Sequence, residues 1–174
     1  MAFLLETNRL IMREIVVSDA PEMFALNADP EVLKFTGDQA FATVDQAKSF
    51  LESYTDYEKN GFGRWAVVRK SDGEILGWCG LKRHTNGMVD LGFRLMKKYW
   101  QKGYATESAK ACIVFGFETL KLQEIVGRAE LENSASIQVL KKCGMTFSHN
   151  EFDDLHHEKK IAVYKLRHEN FSRH

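Results

Sequence analysis

The stretch of sequence that decides the fold runs from Val89 to Glu107 and reads VDLGFRLMKKYWQKGYATE. In its first seven residues apolar side chains alternate with Asp90, Gly92 and Arg94, the pattern of a strand with one buried face and one face free for chemistry. After the turn, small and apolar residues recur at helical spacing as far as Leu120. The stretch therefore predicts a strand that leads through a glycine-containing turn into a helix.

The residues after this helix predict a second strand at Glu124–Glu130. A strand, a helix and a strand within about 40 residues form a right-handed crossover, and the two strands are then parallel. Farther along the chain we expect a helix at 134–143, which Gly144 ends, and two closing strands at 146–152 and 161–167.

The residues before the stretch predict an antiparallel meander of three strands. Asp72-Gly73 and Asn86-Gly87 separate apolar runs, and these dipeptides are strong hairpin signals. Nearer the N-terminus, Pro21 after a capping residue predicts a helix start, and a capping-box pattern at Thr43 predicts one helix that runs to Lys59. The expected segments are strands at 9–15, 62–70, 75–82 and 88–96, and helices from Ser18 and from Thr43.

Together these elements predict a single α+β domain that spans residues 1–174. Its sheet is expected to be mixed, mostly antiparallel and flanked by helices, with the strand-helix-strand crossover at its centre. No repeat, linker or low-complexity segment interrupts the chain.

Composition and charge argue against several classes of protein. Lys plus Arg and Asp plus Glu both total 24, and this balance argues against DNA as a partner because nucleic-acid binders rely on a basic excess. Cys79, Cys112 and Cys143 stand far apart among apolar neighbours, which predicts buried thiols in a reducing compartment. No signal peptide is recognisable, and the longest apolar run, residues 111–117, is far shorter than the roughly 20 residues of a membrane span. We therefore expect a cytoplasmic protein without a membrane partner, whose oligomeric state the sequence leaves open.

Residues 101–106 lie where the predicted strand turns into the helix. A helix start directs several free backbone N–H groups at one point, and the helix dipole adds attraction, so such a turn binds anions. Gly103 lets a phosphate approach the backbone, Ala105 keeps the first turn uncrowded, and Lys102 adds a positive charge. Three or four charge-assisted hydrogen bonds of about 1.5–3 kcal/mol each hold a pyrophosphate without a metal. From these residues alone an ordinary strand-to-helix loop remains the alternative, and neither common nucleotide-binding fingerprint is present.

The same segment resembles the acyl-CoA loop of the GNAT N-acetyltransferase superfamily, Gln/Arg-x-x-Gly-x-Gly/Ala. Trp100, Gly103 and Ala105 take its first, fourth and sixth places. Tryptophan in the first place departs from the general pattern but is similar to the branch of ribosomal-protein N-terminal acetyltransferases, the RimJ/RimL type. Further stretches resemble that branch in the same order: Thr7–Arg13, Asp29–Val32, and Asn133–Ser136 continuing to Lys142–Met145.

The resemblance implies an enzyme that transfers an acetyl group from acetyl-CoA, its co-substrate, directly to an amine, in the first place a protein N-terminal α-amine. It also implies contacts between acetyl-CoA and three parts of the chain. These are the backbone of Phe93 and Leu95 for the pantetheine arm, the amides of Gln101, Lys102, Gly103, Tyr104, Ala105 and Thr106 for the pyrophosphate, and the side chain of Asn133 for the arm. An N-cap on the following helix is the alternative role of Asn133.

The resemblance assigns the proton transfers to two residues. Asp90 stands where many relatives carry a glutamate that takes the amine proton through water, and a solvated strand carboxylate is the alternative. The tyrosine that many relatives use as general acid maps onto Leu140, which cannot donate a proton. Ser136 occupies the position of a serine given that role in the ribosomal-protein branch, and an ordinary small helix residue is the alternative.

Other candidates receive more modest interpretations. Phe35 and Trp65 are candidates for the acceptor pocket, with a place in the core as the alternative. His149, His156 and His157 suggest metal ligands, but adjacent histidines on a hairpin point to opposite faces, so no metal is expected. Two further functions stay open, namely acetylation of a small amine such as a polyamine, an antibiotic or an amino acid, and a non-catalytic acyl-CoA-binding module.

Overall fold

The computed structural model describes residues 4–173, and eight of its strands form one sheet. The strands are β1 (Leu4–Glu6), β2 (Leu10–Glu14), β3 (Arg64–Arg69), β4 (Ile75–Arg83), β5 (Val89–Leu95), β6 (Glu124–Glu130), β7 (Thr146–Phe152) and β8 (Lys160–Arg167). The helices are α1 (Ala20–Leu26), α2 (Pro30–Leu33), α3 (Val44–Glu52), α4 (Asp56–Asn60), α5 (Tyr104–Glu118) and α6 (Ser134–Lys142). The sheet order is β1-β2-β3-β4-β5-β6-β8-β7.

The antiparallel meander and the crossover are both confirmed. β3, β4 and β5 pair antiparallel in succession, with Gly73 and Gly87 in left-handed turn conformations between them. β5 and β6 are parallel, and α5 connects them. Every other neighbouring pair of strands is antiparallel, so the sheet is mixed and mostly antiparallel as expected.

The two faces of the sheet carry different layers. Helix α5 packs against the main core, where Leu81, Leu91 and Phe117 are almost fully buried. Gly116 lets α5 approach the sheet closely, because a Cβ at that position would lie 2.8 Å from Ile125 Cδ1. On the other face, a second cluster gathers around Trp78 with residues of α1 and α2.

The predicted single helix from Thr43 to Lys59 is wrong, because the chain forms α3 and α4 with a break between them. The Tyr54 hydroxyl, in that break, accepts a hydrogen bond from the Arg64 N–H at 2.9 Å. The Tyr57 hydroxyl accepts from the Ile15 N–H at 3.0 Å. These bonds join distant parts of the chain, and such tertiary contacts override local helix propensity. The predicted helix start is confirmed, since the Thr43 side chain caps α3 by accepting from the Gln46 N–H.

Two further observations concern the edge strand β1 and the length of the helices. β1 was not expected from the sequence, and it adds a short edge strand beside β2. Across residues 4–173 no helix is both long and apolar enough to cross a bilayer.

Candidate functional site

The start of α5 offers a row of unpaired backbone donors. Across the part of the chain that the structure describes, the N–H groups of residues 101–106 donate to no protein acceptor, and Glu107 is the first that does, to the Gly103 carbonyl at 3.0 Å. Gln101 and Gly103 have positive φ angles of 61° and 83°, which turn the chain sharply into the helix. Six adjacent free donors at the start of a 15-residue helix make a site that fits a pyrophosphate.

A charged cluster from the first strands lies beside this loop. The Arg9 guanidinium is 4.2 Å from the centre of the Tyr104 ring, and its Nη2 would be 3.2 Å from a Cβ at Gly103. The Glu107 carboxylate accepts from Arg9 Nε at 2.7 Å and from Thr7 Oγ1 at 2.6 Å. Burial raises the pKa of Glu107, but the hydrogen bonds from Thr7 and Arg9 outweigh it and leave that pKa below its usual value. Sequence reasoning missed Arg9 as a member of the site, although it lies in the opening stretch that carried the resemblance.

β5 and β6 separate after two residue pairs and leave a cleft. The parallel pairing comprises Asp90↔Val126 and Leu91↔Gly127 and then ends. The Met96 N–H bonds to the Leu76 carbonyl on the β4 side, so alternation along the strand turns the peptide groups of Phe93 and Leu95 toward the cleft.

One of those peptide groups already has a partner. The Trp100 indole donates from Nε1 to the Leu95 carbonyl at 2.8 Å. Trp100 thereby ties the loop to the edge of β5, and the N–H and C=O of Phe93 and the N–H of Leu95 remain on the cleft. Trp100, which departs from the general loop pattern, therefore has a structural role: it anchors the loop to β5.

Helix α6 begins on the far side of the cleft. β5 and β6 are parallel, and α5 and α6 each follow one of them, so both helix starts lie at the same end of the sheet. Asn133 is the N-cap of α6, accepting from the Ser136 N–H at 3.2 Å and donating to Ser136 Oγ at 3.0 Å. Ser136 Oγ therefore accepts from Asn133 and keeps its own proton to donate. Leu140 is 2% exposed and packs on Gly127, so it offers no donor at the end of the parallel pairing.

Asp90 has a partner that sequence reasoning did not find. Its Oδ2 lies 2.5 Å from His84 Nε2, and the two side chains are 16% and 28% exposed. The register of the β4–β5 hairpin brings the two residues together, because Asp90 faces Lys82 and His84 follows directly after the end of β4. The Asn86-Gly87 turn could have revealed this, since it fixes the hairpin register.

A groove of about 460 Å³ opens on the face opposite α5. Aromatic side chains supply much of its wall, namely Phe41, Phe50, Tyr54 and Trp78. Trp78 covers β5 next to the cleft, because its Cζ3 would be 3.3 Å from a Cβ at Gly92.

The two residues expected in the acceptor pocket do not line this groove. Trp65 is 1% exposed and packs in the core against Phe115, with ring centres 5.3 Å apart. Alternation along β3 turns Arg64 to the groove and Trp65 to the core, so the pocket prediction for Trp65 is wrong. Phe35 is half-buried beside the Lys34 ammonium, 5.3 Å from its ring centre, and also lies outside the lining.

Metal ligands do not cluster in the described part of the chain. Among residues 4–173 no three His, Cys, Asp or Glu side chains come together in an arrangement that could hold a metal ion.

The sequence is similar to known acetyltransferase families and proteins. The family model described as an acetyltransferase (GNAT) domain matches residues 9–146. "Uncharacterized N-acetyltransferase p20" of Bacillus licheniformis is 32% identical over 139 residues, which cover 78% of each chain. "Uncharacterized N-acetyltransferase YoaA" of Bacillus subtilis is 30% identical over 81% of each chain.

Solved structures share the fold at lower identity. An acetyltransferase of the GNAT family from Bacillus anthracis superimposes with a TM-score of 0.84 at 23% identity, covering 96% of this chain and 99% of its own. A ribosomal-protein-S5-alanine acetyltransferase from Vibrio fischeri gives 0.80 at 18%, covering 98% and 100%. A spermidine N-acetyltransferase from Vibrio cholerae, solved with CoA and spermine, gives 0.79 at 14%, covering 94% and 98%.

Proposed function

The chain belongs to the GNAT acetyltransferase family, and on that premise we propose that its acceptor is an α-amine, in the first place a free polypeptide N-terminus. Acetyl transfer from acetyl-CoA is the reaction of the family. The proposal rests on the small number of side chains at the cleft that can accept or donate a proton. Asp90 and Ser136 are the candidates, and Leu140 is apolar.

Acetyl-CoA is proposed to bind along the cleft and over the start of α5. The unpaired amides of residues 101–106 would hold its pyrophosphate, and the free peptide groups of Phe93 and Leu95 would pair with its pantetheine arm as an added strand does. Asn133 donates to Ser136 and would reach the same arm from the start of α6. No metal takes part in this proposal, because the backbone donors supply the anion contacts.

The proposed reaction is one direct transfer. The neutral amine attacks the thioester carbon, and the Phe93 N–H donates to the oxygen that gains negative charge. The new C–N bond forms, the C–S bond breaks, and the thiolate leaves and accepts a proton from Ser136 or from water. The proton of the attacking amine passes through water to Asp90, which His84 orients.

The acceptor class follows from the cost of deprotonation. A leaving thiol has a reference pKa near 8.5, so thiolate departure needs little help at neutral pH. At pH 7 roughly a tenth of an α-amine is neutral, against well under a thousandth of a lysine side chain, from reference pKa values near 7.7–8.0 and 10.4. That gap of more than two decades equals about 3 kcal/mol, which is comparable to a good general base. An enzyme with a modest base is therefore suited to an α-amine.

The test measures release of free CoA thiol with two otherwise identical peptides. One has a free N-terminus and no lysine, and the other has a blocked N-terminus and one internal lysine. We expect faster release with the free N-terminus, and faster acetylation of the blocked peptide contradicts the proposal. Spermidine is included because one structural neighbour is a spermidine acetyltransferase. Rapid turnover of spermidine alone moves the function to small amines, and no acceleration by any amine identifies a non-catalytic acyl-CoA-binding module.

The reaction is proposed to take place in the cytoplasm. Cys79, Cys112 and Cys143 are buried free thiols, as expected for a reducing compartment.

A further inference from the structure

The groove beside the cleft carries more positive than negative charge. Its lining contains three cationic side chains, Arg64, Lys82 and Arg94, and two carboxylates, Asp38 and Asp56. A groove built for a polyamine needs the opposite balance, because each ammonium of the ligand requires a nearby anion or acceptor.

Arg94 already has its partners. Its Nη1 donates to Asn27 Oδ1 at 2.7 Å, and its Nη2 donates to Asp38 Oδ2 at 2.7 Å. Its side chain is only 13% exposed. Asp38 is therefore committed to Arg94 and does not neutralise a second cation.

Arg64 differs from Arg94 in this respect. Its guanidinium lies 4.3 Å from the centre of the Trp78 ring and is half-buried. Within residues 4–173 that guanidinium makes no ion pair and donates no hydrogen bond to a protein acceptor, while its backbone N–H and C=O are bound by Tyr54 and Tyr57. Burial lowers the pKa of Arg94, Asp38 raises it, and the charge of Arg64 lowers it further, which indicates that the two cations are close.

The position of Arg64 relates it to the reacting atoms. The Trp78 ring that Arg64 contacts lies over Gly92, and Gly92 directly precedes Phe93, whose N–H faces the cleft. An amine that reaches the cleft from the groove therefore passes Trp78, and a group attached close to that amine comes within reach of Arg64.

We propose that the acceptor carries a carboxylate within its first two residues and that Arg64 binds this carboxylate while the amine enters the cleft. The inference rests on the proposed function and specifies the acceptor class: an amino acid or a peptide with an acidic start, and not a polyamine. A guanidinium suits this task because its planar fork of donors matches a carboxylate, and the neighbouring indole holds the fork in place. The aromatic wall formed by Phe41, Phe50 and Tyr54 accepts an apolar side chain of the same molecule.

The first test is calorimetric binding to the protein saturated with free CoA, so that no transfer occurs. The probes form two matched pairs, L-phenylalanine with L-phenylalaninamide, and the dipeptide amide Phe-Asp with Phe-Asn. We expect the carboxylate member of at least one pair to bind about tenfold or more tightly, as one charge-assisted contact provides. Equal binding within both pairs, failure of both carboxylate probes to bind, or tighter binding of spermidine overturns the proposal.

Substitutions at Arg64 test whether this residue causes the preference for carboxylate ligands. Arg64→Gln should abolish the carboxylate preference while CoA affinity stays unchanged, and Arg64→Lys should keep part of it because the charge remains. Arg173→Gln is the matched control, since Arg173 is exposed and pairs with Glu118 at the end of α5. A preference that survives Arg64→Gln in a folded protein overturns the assignment. Should Arg64→Gln fail to fold, Arg64→Lys decides the assignment. A preference in that folded variant as strong as in wild type overturns it, because an ammonium lacks the planar fork of donors.

Turnover separates this inference from the proposed function. Selective carboxylate binding with no acceleration of thiol release from acetyl-CoA supports the carboxylate site and contradicts α-amine acetylation. Acceleration that is equal for both members of each pair supports α-amine acetylation and contradicts the carboxylate site.

Discussion

At the scale of single residues, the chemistry proposed for the cleft rests on pairs of side chains and not on isolated ones. Asp90 is held by His84, and Ser136 is held by Asn133. Each partner fixes an orientation that a lone side chain on a strand or at a helix start lacks. We therefore propose His84 and Asn133 as positioning residues for Asp90 and Ser136.

The first prediction concerns the Asp90–His84 pair. Asp90→Asn should lower kcat by about 10–1000-fold, scaled from general acid-base contributions of 10²–10⁴. His84→Gln should give a smaller loss because the carboxylate remains. Both defects should shrink between pH 7 and pH 9, since solvent then deprotonates the acceptor without help. Steady-state rates with a peptide α-amine measure this.

A matched control separates proton transfer from damage to the strand. His149→Gln changes a histidine on β7 that contacts Glu151 at 3.4 Å and is absent from the cleft. It should leave kcat unchanged at every pH. Wild-type kcat in Asp90→Asn, under conditions where chemistry limits the rate, would show that Asp90 takes no proton.

At the scale of elements, the start of α5 combines a sharp turn with unpaired donors. Gly103 has a φ of 83°, which a side chain rarely adopts, and its open side faces Arg9. Any side chain there strains the turn, and it would also fill the space proposed for the phosphate. The element thus depends on glycine for two independent reasons.

We expect Gly103→Val to weaken CoA binding at least tenfold in calorimetry, because it removes access to backbone donors worth about 1.5–3 kcal/mol each. Gly73→Val is the matched control: Gly73 has a similar φ of 75°, and a Cβ there meets nothing within 4 Å. It imposes the same backbone strain away from the loop. Equal CoA affinity in a folded Gly103→Val protein would contradict the pyrophosphate site.

At the scale of the whole molecule, a single carboxylate joins helix α5 to the segment between β1 and β2. Glu107, on α5, accepts from Thr7 and Arg9, which lie between β1 and β2 and stand about 100 positions earlier in the chain. Its pKa in the folded state is below the usual value of 4.5, so the folded state favours the ionised form. Its contribution to stability is therefore complete above the unfolded pKa and is lost as the pH falls through the folded pKa.

The corresponding prediction compares wild type with Glu107→Gln by denaturant unfolding across pH. The difference in unfolding free energy should be constant above about pH 6 and should shrink as the pH falls below 4.5. Asp45→Asn, in the first turn of α3, is a control for loss of an acid at a helix start. A difference that grows as the pH falls would contradict the assigned ion pair.

The sequence predicted the fold well where local signals and tertiary structure agree. The hairpins at Gly73 and Gly87, the crossover and the end of α6 at Gly144 all follow from residues whose backbone preferences act locally. The break between α3 and α4 was missed because it depends on Tyr54 and Tyr57 bonding to distant backbone groups.

The candidate site shows the same division. The loop at 101–106 and the N-cap at Asn133 could be read from the sequence because short motifs encode them. His84, Arg9 and Arg64 were not assigned a role, because the contact that defines each role is with a residue on another strand or helix. Trp65 was misplaced because alternation on β3 decides its face, and the sequence did not fix which face was the core.

The short parallel pairing has a mechanical consequence for the whole sheet. Two residue pairs are the only ladder between a five-stranded block, β1 to β5, and a three-stranded block, β6 to β8, in the described chain. This seam is the shortest strand pairing in the sheet of the described chain. In the proposed binding mode, an extended ligand in this seam supplies the missing main-chain partners on one side. Bound acetyl-CoA would then hold the two blocks together, and each departure of CoA would leave the seam open again.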